Sequence, residues 1–161
     1  MLLSMKITVS IAEQNLLYED GPIRLQYPIS SGKAGVGQEM NSGKTPLGRH
    51  CIRAKIGHDC PKGAVFVGRR WTGEVFSEEL AVQHPNRDWI LTRILWLSGL
   101  EVGKNRLGNV DTMRRYIYIH GTSDEEYMGQ PVSHGCIRMR NDDILALYQL
   151  VTPGTEVLIE E

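Results

Sequence analysis

Short runs in which apolar and polar residues alternate recur along the chain, and they restrict its fold more than any other feature of the sequence. The run from Lys6 to Ala12 places aliphatic side chains on one face of an extended segment and polar side chains on the other. After the turn-forming segment Glu19-Asp20-Gly21-Pro22, the extended pattern resumes from Ile23 to Ile29. Glycine accounts for 17 of the 161 residues, about 11% against the usual ~7%, which adds further turn positions. These features predict a β-meander in the N-terminal part of the chain.

The remaining residues contain further short segments with recognisable patterns. Residues 30–48 lack apolar periodicity and are predicted to form a long surface loop. Strands are predicted over residues 50–56, 64–67, 115–120 and 155–159, helical turns over 77–83, and either a helix or a strand over 89–97. In the strand over 115–120, Tyr116, Tyr118 and His120 are expected to share one face. A helix is predicted from Asn141 as its N-cap, with an apolar stripe of Ile144, Leu147, Tyr148 and Val151.

These elements define the expected fold class. They are mainly β, with one helix in the C-terminal region, and a β-sandwich or a partly closed barrel accommodates such strands. The sequence contains no internal repeat and no low-complexity segment. We therefore expect residues 1–161 to form a single domain, which at this length can bury a core without disulfide or metal staples.

Charge and cysteine content exclude several classes of partner. The 18 Lys and Arg residues almost balance the 19 Asp and Glu residues, so no strong field favours nucleic acid or an anionic membrane. Lys6 interrupts the N-terminal apolar run, and Arg93 interrupts the apolar stretch 89–97, which is well short of the ~20 residues of a transmembrane helix. The 3 cysteines are too few for a disulfide framework. We therefore expect no membrane insertion and a cytoplasmic location.

The residues that can carry chemistry lie in two segments, Tyr118-Ile119-His120-Gly121-Thr122 and Ser133-His134-Gly135-Cys136-Ile137-Arg138-Met139. They bring one thiol close to two imidazoles. A neighbouring histidine can lower the pKa of a thiol below its usual value of about 8.5 and so produce a thiolate nucleophile. The flanking glycines permit close backbone approach and leave N–H groups for a developing oxyanion. In the alternative interpretation, Cys136 is a small buried apolar residue and both histidines are structural.

At these residues the sequence resembles the L,D-transpeptidase catalytic domain family, also called YkuD. The family hallmark is a His-Gly pair followed by Ser/Thr-His-Gly-Cys. The resemblance extends, in the same order, to the N-terminal meander, Ser30-Ser31-Gly32-Lys33, Thr45-Pro46-Leu47-Gly48 and the closing helix and strand. It therefore covers nearly the whole chain and implies the fold of that domain.

The resemblance also implies roles for individual residues. Cys136 stands at the nucleophile position, His120 at that of the general base, and the carbonyl of Gly121 is implied to orient His120. Ser133, His134, Gly135 and Arg138 are the candidate oxyanion and substrate-binding residues, with the backbone N–H groups around His134, Gly135 and Cys136 as the candidate oxyanion hole. The side chain of His134 either supports the loop or transfers protons.

Arg138 replaces an asparagine found in some members of the family. It either binds a substrate carboxylate or pairs with an acid such as Asp142.

The family further implies peptidoglycan as the substrate. Its members attack the stem peptide at the bond before the terminal D-alanine. Water as acceptor gives an L,D-carboxypeptidase, and an amine from another stem gives a transpeptidase. We expect a cytoplasmic L,D-carboxypeptidase that trims recycled muropeptides. The alternatives are a periplasmic L,D-transpeptidase, if a leader sequence has been removed, and a non-catalytic module that binds stem peptides or a metal.

Other polar residues have weaker interpretations. No cofactor or metal is expected, although His50, Cys51, His58 and Cys60 offer four soft ligands at a spacing that no common zinc module uses. Arg93 is either a second clamp for a carboxylate or an arginine that extends to solvent. Arg69 and Arg70, beside Trp71, either stack on a base or sugar or form a solvated face.

Overall fold

The computed structural model describes residues 5–161, and strands account for most of its regular structure. The helices are α1 (Glu78–Gln83) and α2 (Asn141–Leu150). The strands are β1 (Lys6–Ser10), β2 (Asn15–Asp20), β3 (Ile23–Ser30), β4 (Gly48–Ile56), β5 (Ala64–Val67), β6 (Arg70–Val75), β7 (Ile90–Gly99), β8 (Tyr118–Gly121), β9 (Ile137–Met139) and β10 (Glu156–Glu160).

All of these strands belong to one sheet, which closes on itself. The order is β4-β10-β1-β2-β3-β9-β8-β7, and β4 pairs again with β7, so 8 strands form a closed barrel. The hairpin of β5 and β6 extends from β7 outside this ring. Neighbours are antiparallel except for β1 with β10 and β8 with β9, which run parallel. The mainly β prediction is confirmed, and the barrel is closed rather than partly open.

Most of the predicted elements are present. The meander forms β1, β2 and β3, and residues 31–47 form the long loop. The segment 89–97, left open between helix and strand, is a strand from Ile90 onward and belongs to β7. The expected α2 stripe is buried. Two strands escaped prediction, because β9 has only 3 residues and β6 is largely exposed, so neither shows a clear alternation.

Two differences from the sequence-based boundaries affect the candidate site. The strand predicted from residue 115 begins only at Tyr118, because Tyr116 adopts a left-handed conformation with φ of 56° within a turn. Tyr116 therefore does not share the strand face of Tyr118 and His120. Asn141 is the first residue of α2 rather than its N-cap, a position that Arg140 takes without a side-chain hydrogen bond. The Asn141 amide instead donates to the carbonyl of Thr122, at 2.8 Å, just after β8.

Two apolar clusters lie on opposite faces of β8. The main core combines inward-facing aliphatic residues of the barrel with the stripe of α2, and it includes Ile119. The smaller cluster contains Phe66, Ile94 and Tyr118, and Cys136 packs against it. Because side chains alternate along a strand, β8 anchors one set of residues in the core and presents the other at the smaller cluster. Neither helix within residues 5–161 is long and apolar enough to cross a bilayer.

His50 is a buried polar residue of β4. Its Nδ1 lies 3.0 Å from the carbonyl oxygen of Gly48, and its Nε2 lies 2.9 Å from Oγ1 of Thr112. Since a carbonyl can only accept, Nδ1 carries the proton and Nε2 accepts from the threonine hydroxyl. Burial lowers the pKa of His50 from 6.5 to about 4, against smaller opposing effects from Gly48 and Glu101.

Acidification should therefore destabilise the fold through His50. Below pH 6.5 the unfolded chain binds a proton at His50 that the folded state excludes. The contribution of His50 to the free energy of unfolding is therefore fully present above pH 6.5 and is lost as the pH falls toward 4. We expect this residue to remove roughly 3 kcal/mol from the free energy of unfolding over that interval. Urea denaturation of His50→Gln should show a flatter pH dependence than the parent, with exposed His58→Gln as the control for loss of a histidine. An unchanged slope in His50→Gln would contradict this assignment.

Candidate active site

The parallel pair of β8 and β9 brings the two predicted segments together. His120 pairs with Arg138, and Ile119 pairs with Ile137. Continuing this register by one residue sets Cys136 beside Tyr118. Because paired residues of parallel strands project to the same face, Tyr118, His120, Cys136 and Arg138 lie on one side of the sheet. His120 and Cys136 are diagonal neighbours there, within reach of side chains that extend from one strand to the next.

His120 is held in one orientation and one tautomer. Its side chain is buried, and Nδ1 lies 2.6 Å from the carbonyl oxygen of Gly121. The carbonyl can only accept, so Nδ1 carries the proton and Nε2 has a free lone pair. Burial lowers the pKa of His120, which keeps the imidazole neutral. This contact is the one that the resemblance to the family implied for Gly121.

Gly121 is required by the space around it. A Cβ at this position would collide with Oδ1 of Asn141 and would lie 2.6 Å from the carbonyl oxygen of Leu91. The backbone after His120 can therefore pass between β7 and α2 only without a side chain. The same asparagine Oδ1 accepts from the hydroxyl of Thr92, at 2.5 Å. These contacts fix the end of β8 and with it the carbonyl that orients His120.

The thiol of Cys136 lies between two backbone groups. Its Sγ accepts a hydrogen bond from the N–H of Tyr118, at 3.3 Å, and donates to the carbonyl of Tyr116, at 3.4 Å. Burial raises the pKa of Cys136 to about 12, and the smaller opposing effects of the Tyr118 N–H and of Arg138 and Arg115 do not reverse this. The expectation that a neighbouring histidine lowers the pKa of this thiol is therefore wrong for the protein without substrate, because burial dominates. At rest, both Cys136 and His120 are neutral.

The turn before Cys136 is organised by Ser133. Its Oγ accepts from the N–H of Gly135, at 3.1 Å, and donates to the carbonyl of Cys136, at 2.6 Å. Gly135 takes a φ of 124°, which favours glycine. The N–H of Gly135, one of the predicted oxyanion donors, is thus occupied within the turn. The N–H groups of His134 and Cys136 are left as the candidates for that role.

The long loop buttresses this turn from the outside. The hydroxyl of Thr45 donates to the carbonyl of Gly135, at 2.9 Å, and accepts from the N–H of Gly32, at 2.8 Å. The N–H of Lys33 also donates to the carbonyl of Ser133, at 2.9 Å. The segments around Gly32 and Thr45, which contributed to the family resemblance, therefore hold the turn that carries Cys136.

Arg138 is buried within a network of acids. Its guanidinium lies 3.2 Å from Oδ2 of Asp124 and 3.2 Å from Oδ1 of Asp88. The same Asp88 oxygen lies 3.4 Å from Nδ1 of His134, whose side chain is otherwise exposed. The predicted pairing of Arg138 with an acid is therefore present, although Asp142, named as the example, instead pairs with Lys62 at 2.8 Å. Arg138 is paired with two carboxylates, and Asp88 connects it to His134.

Two adjoining cavities lie in this region, and Cys136 lines one of them. One, of about 510 Å³, is lined by Cys136 together with Arg69, Asp88 and residues around Tyr118. The other, of about 450 Å³, lies toward the long loop and is lined by Met40, Asn41 and Gly43. Arg115, Tyr116, Ile117 and His134 line both cavities. Cys136 thus opens onto a cleft that continues in two directions.

Three residues of this cleft were missed or given another interpretation from the sequence. Asp88 belongs to no sequence motif that indicates chemistry, and Arg115 was considered only as part of a strand. Arg115 donates to the carbonyl of Gly37, at 3.1 Å, and to that of Lys44, at 2.5 Å, so it fastens the long loop beside the cleft. Arg69 was assigned to base or sugar stacking or to a solvated face, yet it lines the cavity of Cys136.

Other predicted candidates lie elsewhere. Arg93 donates to the carbonyl of Cys60, at 2.9 Å, and is absent from the residues lining either cavity. Within residues 5–161, no three His, Cys, Asp or Glu side chains come close enough together to hold a metal ion. The zinc alternative built on His50, Cys51, His58 and Cys60 is therefore not supported by the folded arrangement.

Comparison with known proteins agrees with this geometry. The chain matches the model of the L,D-transpeptidase catalytic domain, YkuD, over residues 4–159, and it belongs to that family of peptidoglycan-modifying enzymes. YqjB of Bacillus subtilis, assigned by name to the L,D-transpeptidases, is 54% identical over 43 residues, which are 27% of this chain and 24% of YqjB. The probable L,D-transpeptidase YcfS of Escherichia coli is 54% identical over 41 residues, 26% of this chain and 13% of YcfS.

Solved structures share the fold over almost the full chain. L,D-transpeptidase 3 from Mycobacterium tuberculosis superposes with a TM-score of 0.62 at 16% identity, covering 99% of this chain and 62% of that one. The L,D-transpeptidase from Xylanimonas cellulosilytica gives a TM-score of 0.57 at 18% identity, covering 97% of this chain and 60% of that one. This chain therefore matches about a quarter or less of the two curated relatives and about three fifths of the two structural ones.

The neutral resting state of Cys136 leads to a prediction about its alkylation. With the thiol pKa raised to about 12, the thiolate fraction and hence the iodoacetamide rate should rise about tenfold per pH unit. Peptide mapping by mass spectrometry should show this rise continuing without a plateau to about pH 9. Cys136→Ser identifies the labelled peptide. A plateau below about pH 8 would show that a thiolate is already present at rest and would contradict the assignment.

Proposed function

We propose that the protein is a cysteine-dependent L,D-carboxypeptidase, which removes the terminal D-alanine from tetrapeptide stems of peptidoglycan. Membership of the L,D-transpeptidase family supports the substrate class. The observation that carries the proposal is that His120 and Cys136 lie on the same face of the sheet. The histidine has a free Nε2, and the thiol borders the cleft. This arrangement supplies a base and a nucleophile for acyl transfer.

The first half of the reaction follows from the neutral pair. As Sγ of Cys136 attacks the carbonyl before D-alanine, Nε2 of His120 takes the thiol proton, so that charges develop only during attack. The Tyr118 N–H stabilises negative charge on sulfur, and the N–H groups of His134 and Cys136 are proposed to stabilise the oxyanion. Protonated His120 then gives its proton to the departing amine. The C–N bond breaks, D-alanine leaves, and the tripeptide remains as a thioester on Cys136.

The second half regenerates the thiol. His120 takes a proton from water as the water oxygen attacks the thioester carbonyl, and it returns that proton to sulfur as the C–S bond breaks. A stem peptide bound at Cys136 can extend from the cavity that the thiol lines into the adjoining cavity toward the long loop. Water as the acceptor completes the hydrolysis. An amine entering the side vacated by D-alanine would give a transpeptidase, the second candidate.

The same proposal assigns the reaction to the cytoplasm, on muropeptides recovered from the wall. A periplasmic transpeptidase is the alternative location and activity. Fractionation of cells expressing the full-length gene product, detected by antibody, tests this part separately. Recovery in the cytoplasmic fraction is the expected result, and recovery in the periplasm would overturn the proposed location.

Product analysis tests the proposed activity. The protein is incubated with a diaminopimelate-containing tetrapeptide, with and without a D-amino acid acceptor, and the products are followed by mass spectrometry. Tripeptide and free D-alanine should form in both reactions. Cys136→Ala should abolish turnover, His120→Gln should lower kcat about 100- to 10,000-fold, and Cys51→Ala should act like the parent.

The other outcomes distinguish the alternatives. Exchanged or cross-linked peptides in excess over tripeptide would replace the carboxypeptidase with a transpeptidase. Turnover that persists in Cys136→Ala would exclude the cysteine mechanism. A folded parent that binds the tetrapeptide but does not cleave it would be a non-catalytic stem-peptide module.

A further inference from the structure

Three arginines surround the thiol, and two of them already have partners. Arg138 faces the carboxylates of Asp88 and Asp124. Arg115 donates to two carbonyls and to the hydroxyl of Ser42 in the long loop. A guanidinium that is neutralised by carboxylates, or whose terminal nitrogens already donate to the surrounding loop, has less capacity to bind a further anion. Both residues therefore stabilise the walls of the cleft rather than offer a site for a charged ligand.

Arg69 differs from both in its contacts. Its carbon Cζ lies 4.6 Å from the ring centre of Trp96 and 4.8 Å from that of Tyr116. Its one side-chain hydrogen bond to a described residue joins Nη1 to the hydroxyl of Tyr118, at 3.0 Å. The aromatic rings hold the guanidinium by cation–π contacts without consuming its N–H groups. Arg69 therefore keeps its positive charge and most of its five donors available.

The position of Arg69 relative to the thiol also suits a role in binding. It lines the same cavity as Cys136. Tyr118 connects the two, because its N–H contacts Sγ and its hydroxyl contacts Arg69. The guanidinium is thus connected to the thiol through a single tyrosine residue. The leaving residue of a stem peptide carries a free carboxylate at its end.

We propose that Arg69 binds the terminal carboxylate of the leaving D-amino acid and thereby selects peptides that end one residue beyond the scissile bond. This inference rests on the proposed function, since it assumes a stem peptide as the ligand. A planar guanidinium can hold a carboxylate through two parallel hydrogen bonds, which also fixes the direction of the bound peptide. A peptide lacking this carboxylate, or continuing past it, loses that contact.

Binding to a protein that lacks the nucleophile tests this assignment. In a Cys136→Ala background, isothermal titration compares a tetrapeptide with a free terminal carboxylate against the same peptide with a terminal carboxamide. The acid should bind about 10- to 100-fold more tightly, the range expected for hydrogen bonds to a charged group. Adding Arg69→Gln should abolish this preference, and Arg69→Lys should restore part of it. Arg70→Gln removes an exposed arginine from the same hairpin as the matched control and should retain the preference.

The comparison of acid with amide separates recognition from a structural effect. If Arg69→Gln weakens both peptides equally, Arg69 only supports the cavity wall and the proposal fails. Equal binding of acid and amide to the Arg69 protein, or no binding of either, also overturns it. A third peptide, with the side-chain carboxylate of diaminopimelate amidated, should bind like the acid, and a loss of affinity there would assign Arg69 to that carboxylate instead.

The outcome for the proposed function is read separately. Release of D-alanine is measured with the protein that retains Cys136. A protein that prefers the acid through Arg69 but releases no D-alanine supports the Arg69 assignment and refutes the carboxypeptidase. A protein that cleaves both peptides equally well, releasing D-alanine from the acid and D-alaninamide from the amide, supports the cysteine chemistry and refutes the role of Arg69.

Discussion

Two very short strands, β8 and β9, lie side by side in parallel, and their register determines which side chains meet at the cleft. His120 stands opposite Arg138, so Cys136 comes next to Tyr118 on the same face. The alternate residues, including Ile119 and Ile137, are buried in the main core. Shifting either strand by one residue would expose these aliphatic side chains and turn the histidine or the cysteine inward. The core thus enforces the arrangement that the proposed chemistry needs.

Burial in this part of the barrel keeps the reactive pair neutral. It raises the pKa of Cys136 and lowers that of His120, so neither charge is favoured before a substrate is present. The nearby charges are also balanced, because Arg138 is matched by Asp88 and Asp124. In the proposed mechanism, charge develops only when a carbonyl is under attack. Arg69, held by aromatic rings at the rim, is the cation that this balance leaves for a ligand.

Much of the fold was accessible from the sequence because it is encoded locally. The meander follows from alternation in residues 6–29, and the stripe of α2 follows from helical spacing. The motifs around His120 and Cys136 predicted the candidate site, since their residue types suit thiol chemistry, and the fold brings the two segments together. The left-handed turn at Tyr116 carried no such signal, and β9 is too short to show a period.

The parts of the site that were not predicted from the sequence depend on contacts between distant segments. Asp88 meets Arg138 across 50 positions, and Arg115 fastens a loop more than 70 positions away. The neutral state of Cys136 arises from tertiary burial, which no local pattern reports. Arg69 lies in a hairpin whose second strand was not predicted, so its position at the cleft could be recognised only once β5 was seen to pair with both β6 and β7.

The central claim is that Cys136 becomes acylated by the part of the stem peptide that remains after D-alanine leaves. Intact-protein mass spectrometry after rapid mixing with the tetrapeptide and acid quenching tests it most directly. The account predicts a transient adduct with the mass of the tripeptide acyl group, mapped to Cys136 and removed by hydroxylamine. Release of D-alanine with Cys136 unmodified at every time point, or an adduct that persists in Cys136→Ala, would contradict it.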